Sequence, residues 1–437
     1  MVADFHLFRS PLGEHVLAVD GSRIYDLPEG TDFSASPELQ DLLAGQRRYV
    51  TETPLAPPPL RSLSLNVSQG CNMSCSYCYA DEGRFGKHSR QMGSLVARKA
   101  VDRLLDSVPA GQDAVLGYMG GEPFLNRHLI HEITSYAAEA AQRRGVRLRF
   151  SVTTNATLLR DEDAKLLARY PFSVAISLDG GRAENDTRRR VRAGGSAYDK
   201  ASAGIARLLR PGWRPRHVSI RATVTPASGY LPDLLDDLMG FDVDEVGFAP
   251  VLVSPSARDE FAPADFKVFL DQMLACGERC KSAILNRRRY PFSNFETAMQ
   301  EIARGSHRPY PCGAAAGYAS VSAEGQISAC HRTIDDPAFA IGNLDAGLDD
   351  SRRAQFLSEK HVLRQSPCTT CWARFLCGGG CHHEVAARGR QSCDYIRGWL
   401  EFCLSAYAEL SSAAQEYFLS PETYFIRDRK GALCQTS

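Results

Sequence analysis

The sequence predicts an α/β protein in which six strand and helix units form an incomplete barrel, between a small N-terminal α+β module and a cysteine-rich C-terminal region. Three observations support this prediction. Strand and helix patterns alternate from Arg61 to about Leu285, the length of 437 residues allows more than one core, and most of the 14 cysteines fall in two stretches. We expect domain boundaries at residues 1–60, 61–300 and 301–437.

The first 60 residues predict a few short strands and one helix. His6-Leu7-Phe8 and His15–Val19 have strand character, and Asp20-Gly21 favours a turn between elements. A helix is predicted from Pro37 to Leu43. The proline-rich segment Thr53–Pro59 is typical of a linker, so these residues are expected to form a separate small module.

Short apolar runs predict the barrel strands, and residues with helical periodicity lie between several of them. Such a repeat builds a parallel sheet, whose chemistry sits at the C-terminal ends of the strands. The predicted strands are Leu63–Val67, Ala114–Tyr118, Leu148–Thr153, Val174–Leu178, Val218–Thr225 and Val246–Val253.

From about Ser306 the pattern changes to turns rich in glycine and cysteine. A hairpin is predicted between Tyr318–Val321 and Gln326–Ala329, with its turn at Glu324-Gly325. A last helix is expected from Asp394 to about Tyr417.

Charge and hydropathy exclude several classes of protein. Lysine plus arginine and aspartate plus glutamate both number 51, so no overall field favours nucleic acid or an anionic membrane. No stretch approaches the roughly 20 apolar residues of a membrane span, and the N-terminus lacks a secretion signal. We therefore expect a cytoplasmic protein, in which 14 cysteines indicate metal rather than disulfides.

The most specific motif is Cys71-x3-Cys75-x2-Cys78, directly after the first barrel strand. Three thiolates at this spacing can hold three corners of a 4Fe-4S cube and leave one iron for an exchangeable ligand, which indicates catalysis. Zinc is the alternative, although it prefers paired C-x2-C units and the nearest histidine, His88, lies ten residues past Cys78. With Tyr77 before the third cysteine, the motif resembles the signature of the radical S-adenosylmethionine (SAM) superfamily. The resemblance implies that SAM binds the open iron and is cleaved to a 5'-deoxyadenosyl radical.

Polar and glycine residues at the ends of the later strands resemble the SAM contacts of that superfamily. Glycines allow close approach of a ligand, a carboxylate accepts an ammonium group, and an arginine binds a carboxylate. A structural turn, a solvated basic loop at Arg188 to Arg190, and structural roles on the fifth strand are the alternatives. The SAM-binding residues implied by the resemblance are Tyr77, Gly120, Gly121, Glu122, Pro123, Asn155, Ser177, Asp179, Arg189, Arg221 and Thr223.

The C-terminal cysteines follow the pattern Cys312-x12-Gly325-x4-Cys330, Cys368-x2-Cys371-x5-Cys377-x3-Cys381 and then Cys393. This pattern resembles the SPASM domain of radical SAM enzymes that modify peptides or proteins. The resemblance implies two auxiliary 4Fe-4S clusters, the first held by Cys312, Cys330 and Cys381 and the second by Cys368, Cys371, Cys377 and Cys393. Cys403 is expected to complete the first or to replace Cys393 on the second, unless the first keeps an open site. A pair of zinc sites is the alternative.

Three segments most resemble maturases that form thioether crosslinks, especially those that mature quinohemoprotein amine dehydrogenase. These segments are Leu65–Cys71, Tyr79–Gly86 and Cys330-His331-Arg332. The resemblance implies three 4Fe-4S clusters, SAM, and a peptide or protein substrate in which a thioether crosslink forms. A leader segment recognised by the N-terminal module and an external reductant such as a flavodoxin or ferredoxin are also expected. Carbon–carbon crosslinking or formylglycine-type side-chain oxidation is the alternative chemistry, and an iron–sulfur electron carrier is the non-enzymatic one.

Overall fold

The computed structural model describes residues 4–44, 49–419 and 424–425. The N-terminal module is an antiparallel sheet in the order β1-β2-β3, followed by helix α1. The sequence predicted β1, β2 and the helix but not β3. The elements are β1 (Phe5–Ser10), β2 (Gly13–Ala18), β3 (Arg23–Asp26) and α1 (Pro37–Ala44).

The second part is the predicted partial barrel of six parallel strands. The strands run in the order β4-β7-β8-β9-β11-β12, and helices cover their outer face. In chain order the elements are β4 (Ser62–Gln69), β5 (Met73–Cys75), β6 (Arg90–Gln91), α2 (Ser94–Asp106), β7 (Asp113–Gly120), α3 (Arg127–Arg144), β8 (Arg147–Thr154), α4 (Asp161–Arg169), β9 (Phe172–Ser177), α5 (Arg182–Arg188), β10 (Arg189–Val191), α6 (Ala197–Leu208), β11 (His217–Val224), α7 (Leu231–Met239), β12 (Glu245–Pro250), α8 (Asp265–Leu285) and α9 (Ser293–Ala303).

Alternation along the strands separates the apolar core from a polar lumen. Tyr118 faces outward and hydrogen-bonds Thr134 of α3 at 2.9 Å. Its neighbour Gly117 faces inward, where a β-carbon would lie 2.9 Å from the Ser64 hydroxyl and 3.0 Å from that of Ser151. The barrel therefore presents hydroxyl groups to its interior and buries its aromatic and aliphatic residues under the helices.

The C-terminal region continues the same sheet. Strand β13 pairs in parallel with β4, and three antiparallel strands follow it in the order β13-β14-β15-β16. The barrel and the C-terminal region therefore share one sheet across the boundary expected at residue 300. The remaining elements are β13 (Tyr318–Val321), β14 (Gln326–Ser328), β15 (Ala340–Asn343), β16 (Gly347–Leu348), α10 (Asp350–Lys360), α11 (Arg374–Cys377), α12 (His382–Arg388), α13 (Cys393–Ala413) and α14 (Gln415–Leu419).

Helix α13 packs across α8 and closes the C-terminal region onto the barrel. A β-carbon on Gly277 of α8 would lie 2.4 Å from the ring of Phe402, so this glycine permits close approach of the two helices. The helix predicted to continue to Tyr417 is interrupted at Ala414, whose φ of −142° is not helical. None of the described helices is long and apolar enough to cross a membrane.

The N-terminal module lies against the C-terminal region rather than the barrel mouth. The ring of His6 on β1 stacks on Trp372 with centroids 3.9 Å apart, and its Nε2 atom lies 2.5 Å from Glu401 of α13. Asp4 also lies 3.8 Å from the guanidinium of Arg374. These contacts join the first and last parts of the chain.

Candidate active site

The loop that carries Cys71, Cys75 and Cys78, here called the first cysteine group, is held against the turn after β7. The amide of Gly121 donates to the Ser68 carbonyl and that of Glu122 to the Gly70 carbonyl, both at 2.9 Å. A β-carbon on Gly121 would lie 2.4 Å from the Gly70 carbonyl oxygen. The Gly-Gly sequence at this turn is therefore required by backbone packing around the cysteine loop.

The first cysteine group is crowded and mostly buried. Burial, Glu122 and the other two thiols together raise the pKa of the Cys71 thiol to about 12. The amide of Met73 donates to its sulfur at 3.4 Å, as does the Asn155 side chain at 3.9 Å. Thiolates packed together in a low-dielectric site are favourable only beside positive charge, so the group fits iron better than free thiols.

Glu122 is fully buried, and both carboxylate oxygens accept hydrogen bonds. Oε1 accepts from the Phe124 amide at 3.1 Å and the Thr154 hydroxyl at 2.8 Å, whereas Oε2 accepts from the Asn155 amide at 2.8 Å. Burial raises its pKa, and these donors oppose the shift. Glu122 therefore connects the ends of β7 and β8 through hydrogen bonds. Oε1 accepts two hydrogen bonds and Oε2 only one, so Oε2 keeps a lone pair for a further donor.

Behind Cys75 lies a buried network of Tyr77, Asp179 and Arg189. Arg189 donates to the Tyr77 hydroxyl at 2.7 Å, and that hydroxyl donates to Asp179 Oδ2. Arg189 also lies 3.8 Å from Asp179 Oδ1. The network is anchored by strand pairing, because Arg189 of β10 is opposite Cys75 of β5. Of three adjacent arginines, Arg189 is therefore the one that faces the cysteine loop.

Most of the other predicted SAM contacts lie at the same edge of the sheet. Asn155 hydrogen-bonds Asn72 of the cysteine loop at 3.0 Å, and the Thr223 amide donates to Asp179 at 3.0 Å. Ser177 is the last residue of β9, and Pro123 opens the short helical turn after Glu122. Pro123, Asn155, Ser177 and Thr223 lie at the C-terminal ends of four strands, β7, β8, β9 and β11.

Arg221 lies outside this arrangement. It is two residues below Thr223 on β11, donates to Ser293 at 2.7 Å and forms an ion pair with Glu245. Its side chain is 49% exposed and reaches toward α9 rather than the cysteine loop. Its acidic neighbour Glu245 on β12 holds the side chain away from the cysteine loop.

Cys312, Cys330 and Cys381 come together as the second cysteine group. Burial together with the Cys381 and Cys312 thiols raises the pKa of Cys330 to about 11. Arg332 lies beside this group, forms an ion pair with Glu384 at 2.7 Å and stacks over the ring of Tyr79 at 5.0 Å. Cys312 is exposed, so one side of the group faces solvent.

Cys368, Cys371, Cys377 and Cys393 form the third cysteine group. All four line one cavity that is partly open to solvent. The amides of Gly379 and Gly380 donate to Cys377. Gly378, Gly379 and Gly380 all have positive φ, which turns these amides toward the sulfur. A cavity lined by four thiols with amide donors fits a 4Fe-4S cube.

Cys403 does not join either C-terminal group. It is fully buried in the hydrophobic core on α13, where burial alone raises its pKa. Cys276 and Cys280 of α8 are buried in the same core. The second group therefore contains three cysteines among the described residues.

Sequence reasoning missed Tyr79 and Arg332, which lie between the first and second groups. Burial raises the pKa of Tyr79 to about 12, and the charges that act on it come from Arg332, Cys330, Cys78 and Cys381. His331, also omitted from the predicted sites, is partly buried and hydrogen-bonded to Tyr318 at 3.0 Å. Adjacency to Cys78 and Cys330 was the signal that could have identified these residues.

Within the described part of the chain, no three His, Cys, Asp or Glu side chains are arranged to hold a single metal ion. Zinc would require such ligands around one ion. A 4Fe-4S cube differs because each cysteine binds a different iron. Two observations are therefore relevant to iron–sulfur clusters: the grouping of the thiols and the cavity around the third group.

Comparison with known proteins identifies a superfamily and several similar proteins. The profile of the radical SAM superfamily matches residues 65–248. A serine-type anaerobic sulfatase-maturating enzyme of Klebsiella aerogenes is 26% identical, over 81% of this chain and 88% of its own length. An uncharacterized protein of Archaeoglobus fulgidus is also 26% identical, over 85% of this chain and 87% of its own length.

Solved structures share the fold. The structure of anSMEcpe with bound AdoMet has a TM-score of 0.67 at 19% identity and covers 80% of this chain and 99% of its own. Streptococcus suis SuiB bound to S-adenosylmethionine has a TM-score of 0.55 at 15% identity, covering 89% and 96%. The open barrel and the cysteine-rich C-terminal region confirm the predicted fold class. Residues 65–248 of this chain are therefore a radical SAM domain, within a protein similar to sulfatase-maturating enzymes over most of its length.

Proposed function

We propose that this protein is a radical SAM maturase that crosslinks a peptide or protein substrate through a thioether. The observation that carries the proposal is the first cysteine group, which lies at the C-terminal strand ends beside Glu122, Asn155 and the Tyr77–Asp179–Arg189 network. A radical SAM domain implies a 4Fe-4S cluster and SAM at this position. When bound there and reduced, SAM supplies the 5'-deoxyadenosyl radical that abstracts hydrogen.

The residues around the cysteine loop supply complementary charges for SAM. Arg189 is held by Tyr77 and Asp179, so its guanidinium is positioned before a ligand arrives and loses little freedom on binding. The free lone pair of Glu122 Oε2 is the acceptor proposed for the ammonium of SAM. Asn155 and Thr223 offer amide and hydroxyl groups to the ribose side, and Arg221 has the weakest support among the predicted contacts because Glu245 already pairs with it.

The second and third cysteine groups favour a peptide substrate and two auxiliary clusters. Among proteins with the same fold, anSMEcpe was solved with a peptide and SuiB with the precursor peptide SuiA. We assign the second group to the first auxiliary cluster and the third group to the second. The N-terminal module is proposed to recognise a leader segment, and a flavodoxin or ferredoxin to supply electrons.

Formylglycine-type oxidation is the second candidate, because the similar curated enzymes are sulfatase-maturating enzymes. The two reactions leave different products. A thioether consumes the substrate thiol and removes one hydrogen pair, whereas oxidation of a serine side chain removes a hydrogen pair, leaves every thiol free and creates an aldehyde. Mass spectrometry with thiol alkylation and hydrazide labelling therefore separates them.

The test is anaerobic reconstitution with SAM, reductant and a candidate cysteine-containing peptide. We expect 5'-deoxyadenosine together with a product that has lost two hydrogens, no longer alkylates and does not react with hydrazide. Oxidation of a cysteine side chain to an aldehyde would also consume the thiol, but it would create a hydrazide-reactive group. A product that still alkylates and reacts with hydrazide would indicate side-chain oxidation rather than a thioether crosslink. Absence of 5'-deoxyadenosine under all conditions would refute the radical enzyme.

A triple variant tests the cluster assignment. Replacing Cys71, Cys75 and Cys78 by alanine should abolish SAM cleavage because those thiols form the first group. About eight of about twelve iron atoms should remain, at four for each cube. Retained 5'-deoxyadenosine formation would show that the radical cluster has been assigned to the wrong cysteines.

A further inference from the structure

The backbone pairing that joins the barrel to the C-terminal region ends before the first cysteine group. Strand β13 is opposite β4 only from Ser62 to Leu65, and the last pair is Leu65 with Val321. Beyond that pair, β4 continues to Gln69 and leads into the cysteine loop, whereas β13 turns back into β14 and leads toward Cys330. Other contacts must therefore fix the spacing between the first and second cysteine groups.

One side chain bridges this gap. Gln69, the last residue of β4, is fully buried, and both polar atoms of its side-chain amide bind the C-terminal region. Oε1 accepts from the Ala323 amide at 3.0 Å, and Nε2 donates to Asp335 Oδ2 at 2.9 Å. Ala323 precedes Cys330 and Asp335 follows it, so the amide holds the chain on both sides of this cysteine. Cys71 lies two residues after Gln69, so the same amide adjoins the first group.

The carboxylate that Gln69 binds is buried and has a donor beside each oxygen. The Asp335 side chain is only 2% exposed, and its Oδ1 atom lies 3.5 Å from the ammonium of Lys87. Lys87 belongs to the segment between the cysteine loop and β6. Asp335 also has a φ of 63°, a left-handed conformation that is uncommon outside glycine. The chain after Cys330 is thus turned so that this carboxylate faces the segments that flank the first group.

A second link between the same segments is more exposed. Arg90 of β6 is opposite Gln69 in the sheet and forms an ion pair at 2.6 Å with Glu324, the neighbour of Ala323. Both charged side chains are partly accessible to water, and ion pairs of that kind contribute little to stability. The buried amide of Gln69, rather than this ion pair, is therefore the constraint on the two groups.

From these contacts we infer that Gln69 is a positioning residue that sets the spacing of the second cysteine group relative to the first. The inference rests on the proposed function, in which a bound peptide meets the radical at the first group while it lies beside the second. A misplacement of about 1 Å can cost a factor of about 100 in rate, so such a reaction requires one defined separation. Gln69 acts through the two loops that it joins and not through the substrate.

Exchanging the donor and the acceptor tests these bonds directly. In Gln69→Glu the new carboxylate still accepts from the Ala323 amide, but its other oxygen faces the Asp335 carboxylate, and like charges repel. When Gln69→Glu is combined with Asp335→Asn, the new side-chain amide donates to the new carboxylate, so the bond returns with its polarity reversed. Both variants are full chains, reconstituted anaerobically and studied at about pH 8, where carboxyl groups are ordinarily ionised.

Two measurements report the spacing of the groups. Electron paramagnetic resonance of the reduced chain measures the magnetic coupling between the first and second clusters, which weakens steeply with their separation. The amount of modified peptide per 5'-deoxyadenosine measures how often the radical reaches its target. This ratio can be counted for a thioether or for an aldehyde, so it does not depend on which product forms. Iron content and SAM affinity show that the clusters and the SAM site are intact.

We expect Gln69→Glu to change the coupling and to lower the ratio about 10- to 100-fold, with iron content and SAM affinity unchanged. The double variant should recover both values. Arg90→Gln is the matched control, because it breaks only the exposed ion pair, and it should behave as the parent does.

Parental coupling and ratio in Gln69→Glu would overturn the role of Gln69. A double variant that behaves like the single one would overturn it as well, including the case in which neither folds. If the parent forms no modified peptide, the proposed function fails and the coupling alone decides this inference. Absence of the two cluster signals in the parent would refute the cofactor assignment, together with this inference.

Discussion

Gly121→Ala provides the sharpest test of how the cysteine loop is held. The new β-carbon would lie 2.4 Å from the Gly70 carbonyl oxygen and 2.6 Å from that of Glu82. Both atoms are backbone, so the loop must move rather than a side chain. Overpacking of this kind costs about 1 to 3 kcal/mol. Because 1.4 kcal/mol is a factor of about ten, SAM affinity should fall roughly 5- to 150-fold.

Gly317→Ala is the matched control, because a β-carbon there meets no atom within 4 Å. That change should stabilise the chain slightly, by about 0.4 to 1 kcal/mol through the unfolded state. Isothermal titration with SAM measures both variants, and iron analysis checks that the auxiliary clusters remain. If Gly121→Ala binds SAM as tightly as Gly317→Ala, the contact between the Gly-Gly turn and the cysteine loop does not position the SAM site.

Three further outcomes are expected. Cys403→Ala should keep the full iron content, since this thiol lies in the apolar core; loss of about four irons, one cube, would make it a ligand. Arg189→Met should lower the free energy of unfolding by about 3 to 5 kcal/mol in chemical denaturation, because it leaves the buried Asp179 carboxylate unpaired. Arg190 is exposed, so Arg190→Met should change the free energy of unfolding by less than about 0.5 kcal/mol. Cluster assembly should release protons and become more complete as pH rises. The reason is that the Cys71 thiol, whose pKa is raised to about 12, must ionise to bind iron. Iron occupancy that is equal at low and high pH would contradict that reasoning.

The barrel was predictable from sequence because each strand is a local apolar run between turn residues. Strand β8, for example, extends one residue beyond the prediction at either end. The last barrel strand ends earlier than predicted, at Pro250, although the Val251 amide still donates to the Val224 carbonyl at 2.9 Å. The sequence did not predict β3 or the pairing of β5 with β10. These short strands have no strong local signal and depend on their partner strands.

The site residues likewise divide into those predictable from local spacing and those positioned by non-local pairing. Cys71, Cys75 and Cys78 were predictable because their spacing alone brings them together. Arg189 was not separable from its two arginine neighbours by pattern, since the register of β10 on β5 decides which one turns inward. Tyr79 and Arg332 meet only because the C-terminal region folds back over the cysteine loop, a contact between residues far apart in sequence.

The pairing of β13 with β4 has a consequence for how the chain can be divided. Four residues of β4, from Ser62 to Leu65, are each opposite a residue of β13. A fragment that ended before β13 would expose this side of β4 as a bare edge, beside the cysteine loop and with Leu63 and Leu65 from the core. Unpaired strand edges of that kind recruit strands from other molecules. The radical SAM domain expressed alone is therefore expected to aggregate, and the C-terminal region serves as its edge cover.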